Sequence, residues 1–113
     1  MDNQTKIKIL KQARELLTKP NGWIKGIMAK NREGYIVHPF SPIAVSFCAL
    51  GACRRALFNL SVDTDCFNAS LSSTKDLLGI EDLKVANLND SPDTTLEDVL
   101  ALYDNRIKEL ETE

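Results

Sequence analysis

The sequence predicts one α+β domain, residues 1–113, in which a β-hairpin over about residues 23–37 is packed by three to four helices. Three observations predict it. The two ends of the chain repeat apolar residues at helical spacing, a run of aromatic and apolar residues near the front is turned back on itself at Asn31-Arg32-Glu33-Gly34, and a long apolar run follows Ser41-Pro42. A chain of 113 residues, 43% of them hydrophobic and 27% charged, has material for one core and is not composed like a disordered segment.

The first helix is expected over residues 3–18, where Ile9/Leu10, Ala13 and Leu16/Leu17 share a face and Lys8, Lys11 and Glu15 lie opposite. Lys19-Pro20-Asn21-Gly22 ends it with turn residues. Trp23 to Met28 then reads as a strand and Tyr35-Ile36-Val37 as its return, with Gly34 suited to a positive φ between them. Gly26 in the first strand suggests a bulge or a close neighbour. A lone hairpin is marginal in water, so it must bury a face on helices or gain a strand from elsewhere.

Ser41 as cap and Pro42 in the first turn predict a central helix over 42–60. Ile43, Phe47, Leu50 and Leu57 form one stripe of it. Ala44, Cys48, Gly51 and Ala52 form a second, small enough for a neighbouring backbone to come close, and Arg54 and Arg55 mark the wet side. A further helix is expected over 65–78, stopped by Gly79. Residues 80–93 are the least regular stretch. Thr94-Thr95-Leu96-Glu97 then reads as a capping box opening a final amphipathic helix over 94–111.

The net charge of -2 conceals a gradient. Eight Lys/Arg up to Arg32 face only Asp2 and Glu15, whereas from Glu81 onward ten Asp/Glu face Lys84, Arg106 and Lys108. Two solvated helix faces lying near one another explain this more simply than complementary surfaces for self-association. The acidic total and the interleaving of the front lysines with buried positions argue against a nucleic-acid partner. The longest apolar run, Pro42 to Cys53, is too short for a bilayer, and no apolar block of a signal peptide follows the first basic residues. Three scattered cysteines at 48, 53 and 66 fit neither a disulfide framework nor a zinc site, so a cytoplasmic location is expected. The two Asn-x-Ser matches, at Asn59 and Asn68, are then chance.

Chemistry-bearing motifs are sparse. A thiol nucleophile at Cys48, with His38 as base and Asp90 as orienter, has the right residue types. Cys48 is expected two turns inside a helix, however, where a small cysteine is ordinarily core filler. Asp63-Thr64-Asp65 starts like a calcium loop, but Cys66, Phe67 and Asn68 break the alternation of ligands. No metal or cofactor site is expected, and no catalytic residue. Asn89-Asp90-Ser91-Pro92 is the polar cluster most able to bind a ligand, although Asn and Asp in such places commonly satisfy their own turn amides. The candidate ligand-binding residues are Trp23, Tyr35 and His38 from the hairpin end, with Asn89 and Asp90 from this loop.

Gly22-Trp23, Gly26, Gly34, Cys48-Ala49-Leu50-Gly51-Ala52 with Ala56, Asn89-Asp90 and the Thr95-to-Leu100 helix start together carry a resemblance over most of residues 10–107. The chain resembles a family of short uncharacterised proteins of bacteria, notably actinobacteria, and their phages, classed as a domain of unknown function. Leu88 departs from that pattern, in which an aromatic often precedes Asn-Asp. The resemblance implies a single domain and carries no activity with it. The expectation is therefore a small non-enzymatic interaction or regulatory protein, of phage or mobile-element origin, that binds a protein partner or itself. The alternative is a small-ligand module, for example for a nucleotide, built on the five candidate residues.

Overall fold

The computed structural model describes residues 2–64 and 74–112. In chain order these form helix α1 (Asn3–Thr18), strands β1 (Ala29–Lys30) and β2 (Ser46–Phe47), and helices α2 (Ala49–Thr64), α3 (Thr74–Leu78), α4 (Asp82–Asp90) and α5 (Leu96–Thr112). The α+β class holds. Helix α1 starts where the Asp2 carboxylate accepts the Thr5 N–H at 2.8 Å, and it buries Ile9, Leu10, Ala13 and Leu17 against α2 and α5. α5 returns Val99, Tyr103, Ile107 and Leu110 to the same core.

The hairpin is reduced and re-partnered. Its turn is as expected: Gly34 adopts φ +90° and the Asn31 N–H reaches the Tyr35 carbonyl at 2.9 Å. Beyond it only Lys30 and Ile36 bridge. The two-residue ladder of β1 is made instead with β2, antiparallel, Ala29 opposite Phe47 and Lys30 opposite Ser46. Trp23 to Met28 is not a strand. Trp23 alone bridges Phe47, in parallel, through Ile24 N–H to Phe47 C=O at 3.0 Å and Phe47 N–H to Gly22 C=O at 2.7 Å. Gly26 turns the following residues away at φ +86°. The extra strand that a marginal hairpin needs thus comes from residues read as helix.

That requirement moves the start of the central helix from Pro42 to Ala49. Ser41-Pro42 opens a turn, in which Ala44 N–H bonds the Ser41 carbonyl at 3.1 Å, and the chain then extends to pair with β1. Cys48 consequently stands at the helix N-cap, not two turns inside. Its carbonyl accepts Ala52 N–H at 2.9 Å, and its Sγ accepts Gly51 N–H at 3.3 Å. The small-residue stripe does admit a backbone. A Cβ on Gly51 would stand 2.0 Å from the Met28 carbonyl oxygen, so glycine lets the first turn of α2 lie directly on the chain entering β1.

Residues 65–73 of the expected 65–78 helix lie outside the described residues, and 74–78 are helical. Gly79, at φ +78°, closes α3 with its N–H on Lys75 C=O at 2.8 Å. The Arg106 guanidinium of α5 donates to the carbonyls of Leu77 (2.8 Å) and Asp76 (3.0 Å), capping the same helix end. The stretch expected to be irregular holds α4. The final capping box is shifted by one residue, because Thr95 and Asp98 exchange side-chain and backbone bonds, and Thr94 donates its hydroxyl to Leu88 C=O. The basic and acidic ends of the chain pack side by side, joined by Arg14 and Asp104 at 2.7 Å.

Candidate functional site

Three of the five candidate residues meet around the N-terminus of α2. Asn89, in the last turn of α4 and 1% exposed, directs its amide at three separate segments. Its Oδ1 accepts the Trp23 indole N–H at 2.7 Å and the Ala49 backbone N–H at 2.9 Å. Its Nδ2 donates to Ile24 C=O at 3.1 Å and to Asp90 Oδ1 at 3.0 Å. Asp90 Oδ1 also accepts Gly26 N–H at 2.8 Å, which fixes the bend that the positive φ allows. Lys25 closes the set, donating from Nζ to Ser91 C=O at 2.7 Å and lying 5.4 Å from the centre of the Trp23 ring.

Each of these bonds satisfies a group that the fold would otherwise leave unpaired. Ala49 N–H is a first-turn donor of a buried helix end, and the Ile24 and Gly26 amide groups sit in a segment without a ladder. Among the described residues no buried side-chain nitrogen or oxygen lacks a partner. A ligand entering here would have to displace bonds already made, so the geometry makes the cluster a framework joining the 22–26 segment, α2 and α4.

Tyr35 and His38 make their contacts elsewhere. Tyr35 is 71% exposed and is held through its N–H on Asn31 Oδ1 at 2.9 Å. His38 Nδ1 accepts Phe40 N–H at 3.1 Å, and its ring meets Phe40 edge-on at 4.6 Å. Phe40 stacks on Phe58 of α2 at 4.4 Å, and Arg55 binds the Pro39 and Ser41 carbonyls. This pins the 38–41 corner to the flank of α2.

Below the Asn89 framework lie two thiols and a phenol. The Tyr103 hydroxyl donates to Ala49 C=O, so the first residue of α2 is held through both its amide and its carbonyl. Burial pushes the Cys53 thiol up to about 12 and Tyr103 well above its usual value. The Cys48 thiol is likewise raised by burial, with the Asp90 charge adding to the effect against the Gly51 and Leu50 amides. A thiol so placed stays protonated at neutral pH, despite its N-cap position. Among the described residues no cluster of three metal-ligating side chains occurs, and no helix is long and apolar enough to cross a membrane.

A family of unknown function, DUF6197, matches residues 1–109. The chain belongs to it. Nothing matches among the curated proteins or the solved structures. Membership in DUF6197 therefore fixes kinship without supplying an activity.

What residue reasoning missed lies on the surface around the sheet edge. Tyr35 and Ile36 (71% exposed each), Ile43 (57%) and Val45 (47%) stand in solvent within eleven residues of chain. The signal was Ile43 and Val45, both inside the stretch read as helix, with Ile43 placed on its apolar stripe.

Proposed function

We propose that this member of DUF6197 is a non-enzymatic protein that works by binding another polypeptide at the edge of its sheet. The observation that carries this reading is the exposed apolar side chains on either side of β1, Tyr35 and Ile36 at its free edge and Ile43 and Val45 leading into β2. Large apolar side chains left in water at a sheet edge are characteristic of contact surfaces. The saturated bonding of Trp23, Asn89 and Asp90 supports the same reading, because it assigns the most polar interior cluster to the framework. The protonated, buried state of Cys48 supports a non-catalytic role for that thiol. A cytoplasmic setting belongs to this proposal, since buried free thiols at Cys48 and Cys53 suit a reducing compartment. So does a phage or mobile-element origin, for which the neighbouring genes are the check.

The test is in-cell crosslinking of the tagged chain in its source organism, comparing wild type with Ile36→Lys and identifying crosslinked polypeptides by mass spectrometry. Ile36 is exposed, so the variant is expected to keep its melting temperature and lose the crosslinked species. An unchanged set of crosslinks in Ile36→Lys, or none in wild type, would refute the proposal.

A further inference from the structure

We infer that Asn21-Gly22 is a self-modification site, held unreactive by the fold, at which asparagine converts to isoaspartate when the turn after α1 opens. The inference is independent of the polypeptide-binding reading. It begins with why this pair stands here. Asn21 has φ +57°, the one positive value at a non-glycine residue among the described residues, and asparagine is among the few side chains that tolerate it. Gly22 follows in a slot that admits nothing larger. A Cβ there would stand 2.3 Å from the Leu16 carbonyl oxygen and 2.9 Å from that of Lys19. The turn thus suits asparagine and then admits only glycine. Asparagine is a chemically labile residue, and most so before glycine, where no side chain shields the next amide.

The reaction needs only water. The Gly22 backbone nitrogen bonds to the Asn21 side-chain carbon Cγ, the Cγ–Nδ2 bond breaks, and the proton of the Gly22 nitrogen leaves with Nδ2 as ammonia. Water then opens the five-membered imide at either carbonyl. Attack at Cγ gives aspartate. Attack at the former main-chain carbon gives isoaspartate, whose backbone runs through Cβ and Cγ, one carbon longer, with the old carbonyl freed as a carboxylate.

The fold stops the first step. The Gly22 N–H is committed to Lys19 C=O at 2.8 Å, so the nitrogen keeps the proton it must lose. The other side of the same peptide plane is held too, because Asn21 C=O accepts the Ser46 hydroxyl at 2.6 Å. One residue on, Gly22 C=O accepts Phe47 N–H at 2.7 Å. Turning the Gly22 nitrogen onto Cγ means rotating a plane pinned on both sides. Attack therefore waits for the turn to leave β2, a local opening of the kind that helix ends undergo ahead of the core.

The isoaspartyl product cannot close again. Its extra carbon displaces Gly22 from between the Leu16 and Lys19 carbonyls, removes the acceptor of Ser46 and shifts the Gly22 and Ile24 groups off Phe47. Trp23, bonded to Asn89, lies between those two residues. The modified fraction thus records how long the chain has spent open.

The test incubates the full chain at neutral pH, folded and in concentrated urea. The tryptic peptide spanning 15–25 is then followed by mass spectrometry, with aspartate and isoaspartate separated by chromatography. Conversion at Asn21 is expected to be at least about tenfold slower in the folded chain than in urea. Ser46→Ala releases one side of the plane and should raise the folded rate severalfold while leaving the urea rate unchanged. The isoaspartyl chain should melt lower and show altered Trp23 fluorescence. Asn21→Asp brings the charge without the extra carbon and should resemble wild type. Equal rates in the two states, or a folded rate indifferent to Ser46→Ala, would overturn the control by the fold. No conversion in urea would overturn the site itself. An Asn21→Asp chain as altered as the isoaspartyl one would overturn the role of the lengthened backbone.

Discussion

Replacing Asn89 with alanine removes the one side chain that bonds the 22–26 segment, the α2 N-terminus and Asp90 together. Three groups lose a partner: the Ala49 N–H, the Ile24 carbonyl and the Trp23 indole N–H. The Ala49 amide is buried and should cost about 2 kcal/mol, and the part-buried Ile24 and Trp23 groups about 1 kcal/mol each, since water reaches them in part. The expected loss is about 4 kcal/mol out of the roughly 5–15 kcal/mol usual for a domain. With a urea m-value of about 2 kcal/mol/M the midpoint falls by about 2 M. Urea titration followed by the fluorescence of Trp23, the single tryptophan, and by far-UV circular dichroism reads this directly. Asn89→Asp sharpens the test. It keeps the two acceptor bonds but loses the donor to Ile24, and its carboxylate then faces the Ile24 carbonyl and Asp90 Oδ1. Burial at 1% exposure and both neighbours disfavour the charged form, against the two N–H donors that favour it, so the folded pKa should rise above the unfolded value near 3.9. Stability of that variant is then greatest below the unfolded value and is lost as pH rises through the folded one. A loss under about 1 kcal/mol for Asn89→Ala, beside the cost per bond above, or a pH-independent Asn89→Asp, would refute the framework role.

Other outcomes follow from the same geometry. Gly51→Ala puts a Cβ 2.0 Å from the Met28 carbonyl oxygen, so the better helix propensity is outweighed and about 2 kcal/mol should be lost, seen as a lower melting temperature. An unchanged or higher temperature would show that α2 and the chain before β1 do not pack so closely. Arg106→Met leaves the Leu77 and Asp76 carbonyls without their cap, so amide exchange in residues 74–79 should accelerate while α1 amides keep their protection. Above pH 9 the chain should lose stability. The Cys53 thiol titrates at about 12 when folded against 9.0 for the free group, so the unfolded chain binds fewer protons in that window and the free energy of unfolding falls as pH rises. The slope is about 1.4 kcal/mol per pH unit for each such group, and Cys53→Ala should reduce it. A flat profile between pH 9 and 11 would contradict the burial of these groups.

How much of this was legible in the residues varied with how local the cause was. Helices α1 and α5 are encoded by their own periodicity and ends, and the Asn31–Gly34 turn and the Gly79 stop by the need for a positive φ. The start of α2 was not, because Ser41-Pro42 has the local signature of a helix start and a continuous apolar run carries no period to separate strand from helix. What decides it is the demand of Ala29–Lys30 for a partner, a contact sixteen or more residues away. Helix α4 was hidden by its own exposure: Leu83 is 70% and Leu88 37% exposed, and only Val85 and Asn89 are buried, so its pattern has almost no apolar face. Trp23, Asn89 and Asp90 do meet, but without Tyr35 and His38, which were expected beside them. The purpose of that meeting was not visible, since nothing in an Asn-Asp pair tells that its partner is the unpaired amide of a helix forty residues earlier.

The neighbourhood of α1 and α5 bears on how the chain acquires its structure during synthesis. Asn3 Nδ2 bonds Leu110 C=O at 3.4 Å, and Arg14 meets Asp104, so α1 is completed by a helix 90 residues further along the chain. Until α5 emerges, the buried face of α1, Ile9, Leu10, Ala13 and Leu17, lacks one of the helices packed on α1, and Ala49 lacks the Tyr103 hydroxyl. A nascent chain would thus carry an unshielded apolar helix, the kind of surface that chaperones hold and that aggregates when synthesis stalls. Closing so long a loop is expected to slow folding, and it ties the shielding of α1 to the synthesis of α5.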